Sequence, residues 1–166
     1  MRTKFIKNLN AVNKHSIIFC GAKGANLGEL MKIKLQVPPG FVVLASAFEK
    51  FLRENDINLE IETRWRKINV EDIESVEESS EILRDLILKA KMPKDVEDEI
   101  QEAFKKLKAK YVAVRSSATT EDSKIDSWAG ELESYLNTTK ENLIENIKKC
   151  WASLFSPRAI FYRAKR

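Results

Sequence analysis

The residues of this chain best suited to chemistry on an anion lie between Tyr111 and Thr138, in the run YVAVRSSATTEDSKIDSWAGELESYLNT. Arg115 ends an apolar stretch and is followed by the hydroxyls of Ser116, Ser117, Thr119 and Thr120, then by the carboxylates of Glu121 and Asp122. A guanidinium keeps its charge at any working pH, and its planar fork matches the oxygens of a phosphate. Hydroxyls bond either a phosphate or their own backbone, so residues 116–127 read in two ways, as an exposed turn-rich loop or as part of an anion site. A strand that delivers Arg115 into this loop favours the second reading, which names a ligand class and no reaction. A second candidate, GAKG at Gly21–Gly24, sets Lys23 among glycines at a helix start. It is neither a GxxxxGK[ST] loop nor GxGxxG. Read alone, it is either close packing or an approach of backbone to a ligand.

The elements that must hold these groups are short strands and amphipathic helices. Tyr111–Val114 is aromatic, β-branched and uncharged, which predicts a strand covered on both faces. A second strand is expected over Ser134–Asn137, then a helix capped by Thr138 or Thr139 with Leu143, Ile144, Ile147 and Trp151 as its buried stripe. Leu27, Leu30 and Met31 form the apolar face of the helix that follows Gly21. After the rigid turn Val37-Pro38-Pro39-Gly40 come a strand at Phe41–Leu44 and a helix from Ala47 to about Asn55, capped by Ser46. Residues 56–110 are rich in Glu and Lys and hold no glycine. Ile73, Val76, Ile82, Leu83, Leu86 and Ile87 mark one helix there. Val96, Ile100, Phe104 and Leu107 mark another beyond Pro93. Trp65 is expected as a core anchor.

With 166 residues the chain suits one domain, and 43% hydrophobic residues suffice for a core. The formal charge of +4, from 29 basic and 25 acidic residues, is interspersed and gives no nucleic-acid patch. No apolar run reaches the length of a membrane span, and the first residues lack a secretory pattern. Cys20 and Cys150 belong to no CxxC pair and read as buried thiols in a reducing cytosol. A lone histidine, His15, closes off most metal and triad constellations and is expected as a surface or capping residue. No metal ligands are expected in this chain.

The run VAVRSSATTEDSKIDSWAGELESYLNT, residues 112–138, resembles the nucleotide-binding segment of the phosphoenolpyruvate synthase, pyruvate phosphate dikinase and rifampin phosphotransferase family. GAKGANLGELMKIKLQVPPG, residues 21–40, is similar to the family's N-terminal glycine-lysine-glycine segment, and CWASLFSPRAIFYR, residues 150–163, to the helical segment that follows its loop. The three matches stand in family order and together span nearly the whole chain.

The resemblance implies an α+β fold, the first lobe of an ATP-grasp-like nucleotide-binding domain, with short mixed strands packed with several helices. It also implies a chemistry, the movement of a phosphoryl group from ATP to a histidine carrier. By it Lys23 contacts nucleotide phosphate, Arg115 binds the triphosphate and neutralises charge during transfer, Gly130 belongs to the loop that closes over the nucleotide, and Ser134 keeps a hydroxyl where rifampin phosphotransferases usually carry threonine. Glu131 and Leu132 depart from the family, which commonly has glutamine after the glycine. Trp128 replaces a usual phenylalanine, and Glu121 and Asp122 match an acidic pair read as a cap or turn.

ATP and Mg²⁺ are the expected cofactors, with the metal ligands on a second lobe that these 166 residues lack, together with the phosphohistidine and substrate domains. The expected partners are accordingly ATP and a complementary chain carrying the second lobe and phosphohistidine domain, with no nucleic acid and no membrane, in the cytoplasm. Alone, such a lobe is expected to be inactive. A non-catalytic binding or regulatory module of the same fold is the alternative.

Overall fold

The computed structural model describes residues 4–117 and 133–164. Thr119, Thr120, Glu121, Asp122, Trp128, Gly130, Glu131 and Leu132 lie outside them, so the expectations placed on those residues are not met with any structural observation.

The chain folds as an α+β unit with seven helices and two small sheets among the described residues. Strand β1 (Ile6–Asn8) pairs antiparallel with β2 (Phe41–Val43), with Ile6 opposite Val43. Between them runs helix α1 (Ile17–Lys32), followed after β2 by α2 (Ala45–Glu54), α3 (Asn58–Lys67), α4 (Ile73–Lys89) and α5 (Lys94–Leu107). Strand β3 (Val112–Arg115) then pairs antiparallel with β4 (Ser134–Thr138), and α6 (Leu143–Ala152) and α7 (Pro157–Ala164) close the described chain.

Helical periodicity in the sequence becomes three packed clusters. Leu83 and Ile87 of α4 bury against Phe51, Phe155 and Ile160, and Val96, Ile100 and Phe104 of α5 against Ile6, Ala47, Leu143 and Ile147. Each such side chain contributes on the order of 1.5–3 kcal/mol. Trp151 packs on both clusters, its ring 5.0 Å from Phe48 and 5.1 Å from Phe51. A third cluster joins Val12, Cys20 and Ala25 to Val42 and Leu44, with Leu27 and Met31 against it. Trp65 anchors α3 as its size suggests, under the Arg163 guanidinium at 4.6 Å.

Several local expectations are corrected. The β3 strand is not covered on both faces: Tyr111 is 51% exposed and Leu136 of β4 is 64% exposed, while Val112 and Val114 pack inward on α5 and α6. One face of the hairpin is open, because no further strand or helix of the described chain lies over it. Ser46 does not cap α2, which already starts at Ala45; its hydroxyl donates to Lys4 O at 3.5 Å. Neither Thr138 nor Thr139 caps α6 through its side chain. Thr138 is instead buried, donating to Tyr135 O at 3.1 Å and accepting from Asn146 Nδ2 at 2.9 Å. Leu30 and Ile73 point outward rather than into the core.

Candidate nucleotide-phosphate site

Helix α1 carries Lys23, and its start is broken. Gly21 stands at φ 71° and ψ 166° inside the helix, a conformation that an L side chain avoids. The helical segment that matters for Lys23 therefore begins at Ala22, with Gly21 in the capping position, Lys23 second and Gly24 third. A capping residue normally offers a side-chain oxygen to the second or third amide of its helix. Gly21 has none.

The missing group comes from elsewhere in the chain. Ser117 Oγ accepts from Gly24 N–H at 3.0 Å and donates to Cys20 O at 2.8 Å. A Cβ on Gly21 would stand 2.3 Å from both the carbonyl oxygen and the Oγ of Ser117, so the serine fills the space that a side chain there would take. This contact fastens the loop that leaves β3 onto the start of α1, two residues beyond Arg115 and one beyond Lys23.

Strand β4 brings the fourth group. Arg115 lies directly opposite Ser134 in the β3–β4 register, so both side chains project from the same, open face of the hairpin. Both are exposed. The register shifts between Val112 and Val114, and Asn137 takes a positive φ of 53° there, the bulge that lets Val112 face Thr138 while Arg115 still meets Ser134.

The thiol of Cys150, on α6, packs against the base of the hairpin. Its Sγ lies 3.8 Å from Val114 O and 3.7 Å from Glu133 O, the residues just before Arg115 and Ser134. Burial, aided by the Glu133 carboxylate and opposed by the Lys23 ammonium, pushes this thiol up to about 12. The Gly24–Ser117 bond brings the backbone next to Lys23 to the loop that follows Arg115, and Arg115 stands opposite Ser134. Three of the four residues singled out from the sequence gather in one place; the fourth, Gly130, lies outside the described residues.

Glu133 immediately precedes Ser134. Its oxygens are engaged by the Tyr135 hydroxyl and, at 3.9 Å, by Arg84 Nη2 of α4. Ser116 contrasts with its neighbour Ser117: its hydroxyl is buried with no partner among the described residues. Two shallow hollows of about 270 and 200 Å³ lie along α4 beside Pro157, and neither is lined by Lys23, Arg115 or Ser134. Arg115 is exposed and Lys23 half-buried, away from the lining of either hollow.

The sequence places Ser117 among several hydroxyls, marks Cys150 only as a buried thiol, and gives Glu133 no role. Their roles depend on partners such as Gly24, 93 residues from Ser117, which no local pattern reveals. The pairing of a glycine-rich helix start with a serine after the strand's arginine was the only signal available.

Residues 18–166 match the family model described as "Pyruvate phosphate dikinase, AMP/ATP-binding domain". The chain belongs to this family. It is 47% identical over 161 residues to a probable phosphoenolpyruvate synthase of Archaeoglobus fulgidus, covering 93% of this chain and 21% of that protein. It is 35% identical over 205 residues to phosphoenolpyruvate synthase of Pyrococcus furiosus, covering all of this chain and 25% of the relative. A rifampicin phosphotransferase of Bacillus cereus is 35% identical over 164 residues, covering 97% of this chain and 19% of the relative. As a member of the pyruvate phosphate dikinase AMP/ATP-binding family, the chain thus spans about a fifth to a quarter of the length of these relatives. Among the described residues no helix is long and apolar enough to cross a membrane.

Proposed function

We propose that this chain is the ATP-binding portion of a phosphotransferase like phosphoenolpyruvate synthase and pyruvate phosphate dikinase, with the nucleotide's phosphates held between the start of α1 and the end of β3. The observation that carries this reading is the Gly24–Ser117 hydrogen bond, which holds the neighbourhoods of Lys23 and Arg115 in one contact. Two cations from separate elements suit a polyphosphate, since phosphoryl transfer depends mainly on positioning and charge neutralisation. The helix start at Ala22 adds partial positive charge on the same side. Ser134 supplies a hydroxyl opposite Arg115, and Gly130, on the resemblance, lets a closing loop approach the nucleotide. The local carboxylate of Glu133 is already paired with Arg84 and Tyr135, which lessens its repulsion of an anion.

Residues 1–166 then form the first lobe of an ATP-grasp, and further sequence or a complementary chain supplies the second lobe and the phosphohistidine domain. Mg²⁺ would accompany ATP and share the neutralisation of its phosphates. Its protein ligands belong to that second lobe. The reaction is the movement of a phosphoryl group from ATP to a histidine carrier, in the cytoplasm.

Calorimetric titration of the chain with ATP, with and without Mg²⁺, tests the reading. Saturable binding that weakens about ten- to a hundredfold in Arg115→Ala supports it. A folded chain that binds no ATP at millimolar concentration, or an Arg115→Ala variant with undiminished affinity, overturns it.

A further inference from the structure

We propose that Ser117 is a positioning residue for Lys23: a helix cap supplied from across the fold, whose hydroxyl fixes the start of α1 so that Lys23 meets the phosphates. The inference rests on the reading of this place as a phosphate site, and goes beyond it in assigning what holds the lysine there.

Three observations carry it. The break at Gly21 frees the first amides of the following helical segment, and Ser117 Oγ takes the bond of Gly24, the third of them. The same hydroxyl donates to Cys20 O, bridging both sides of the break. The missing Cβ of Gly21 leaves room for it, since that atom would lie 2.3 Å from Ser117 Oγ. With its one proton on Cys20 O and a lone pair on Gly24 N–H, Ser117 is committed to the backbone. It therefore acts on the ligand through Lys23 rather than as a phosphate donor. A serine on the loop after β3 also ties Lys23 to the strand that carries Arg115, so the two cations keep a fixed relation before any ligand arrives. That is preorganisation, which lowers the ordering cost of binding.

The test is a double-mutant cycle on ATP affinity in the 166-residue chain, using Ser117→Ala, Lys23→Ala and the pair together. Ser117→Ala should weaken ATP binding about tenfold. Lys23→Ala should then cost far less in the Ser117→Ala background than in the wild type, because a lysine on a loosened helix start contributes little. Exchange of the Gly24 amide, followed without ATP, should quicken in Ser117→Ala. Should Ser117→Ala fail to fold, Ser117→Thr and Ser117→Val, alike in shape and differing by the hydroxyl, carry the comparison, with threonine expected to bind about tenfold more tightly. Unchanged affinity in Ser117→Ala, losses that simply multiply with Lys23→Ala, or equal binding by the threonine and valine variants would overturn the assignment. Wild type that binds no ATP overturns the site reading itself, whereas wild type that binds and Ser117→Ala that binds equally well overturns only the role of Ser117.

Discussion

Arg115 and Ser134 face each other across the β3–β4 pair, 19 positions apart by their numbers and on the same open face of the hairpin. Neither side chain is needed to fill a cluster of the core, so each can be removed with little effect on stability. Arg115→Ala should lower ATP affinity by about 1.5–3 kcal/mol and Ser134→Ala by about 0.5–1.5 kcal/mol, as expected for charged and neutral hydrogen bonds. Thermal unfolding should shift little in either. A variant that loses ATP binding together with its melting transition would show a structural role instead. Calorimetry and a melting curve on the same samples separate the two.

Gly28 should be far less tolerant than either. A Cβ there would lie 2.3 Å from Val12 O and 2.9 Å from Leu9 O, both backbone atoms that cannot swing aside. Gly28→Ala should therefore destabilise the chain by about 1–3 kcal/mol, the usual range for overpacking, although alanine is otherwise the better helix former. Urea unfolding checks it. A neutral or stabilising result would mean that α1 can lift from the β1–α1 connection at little cost.

Lys148 is expected to matter for the fold, not the site. Its Nζ donates to Leu88 O at 2.7 Å and to Ala90 O at 3.2 Å, beyond reach of any helical amide at the end of α4, and lies 3.4 Å from Glu145. A cation on the last carbonyls of a helix satisfies acceptors that the helix leaves open and complements its dipole. Lys148→Met keeps much of the stem and loses the donors, so it should cost about 1–2 kcal/mol in stability and leave ATP affinity unchanged. A loss of ATP affinity without a loss of stability would contradict this assignment.

How much of this was legible in the sequence depended on the range over which each cause acts. Helices α4 and α5 were readable because Val76, Leu83 and Ile87, and Val96, Ile100 and Phe104, repeat at helical spacing and are buried for that reason. Arg115 was readable from its place after an apolar strand. The open face of β3 was not, because a run such as Tyr111–Val114 looks the same whether one face or two are covered, and the distinction is made by packing of Val112 and Val114 against α5 and α6 alone. The failed caps have separate causes. Ser46, Thr138 and Thr139 satisfy the local rule, but Ser46 already lies within α2 and Thr138 is drawn inward by Asn146. The cap that did matter, Ser117 on Gly24, joins residues 93 apart and no window of local sequence contains both.

The thiol of Cys150 gives a prediction with a definite sign. In the folded chain burial is the largest cause that lifts it, the Glu133 charge adds to this and Lys23 opposes it, taking it from 9.0 to about 12. Unfolded chain therefore releases this proton near 9.0, while folded chain holds it until about 12. Between those values the native state binds more protons than the unfolded state, so stability must fall as pH rises. Its contribution is complete below the lower value and is lost on passing through the upper one. Cys20, also raised mainly by burial, acts in the same direction and leaves part of the slope in place when Cys150 is removed. Cys150→Ala should thus show a shallower loss of stability than wild type between about pH 8 and about pH 10.5, measured by urea unfolding at each pH. It should also abolish whatever slow thiol modification the folded chain shows at this residue, which is 5% exposed. In that window the folded thiol is already almost fully protonated, so Lys23→Ala, which removes a neighbour that pulls it down, should leave this slope nearly unchanged. An equal or steeper slope in Cys150→Ala than in wild type would overturn the reading of this thiol as held protonated by its burial.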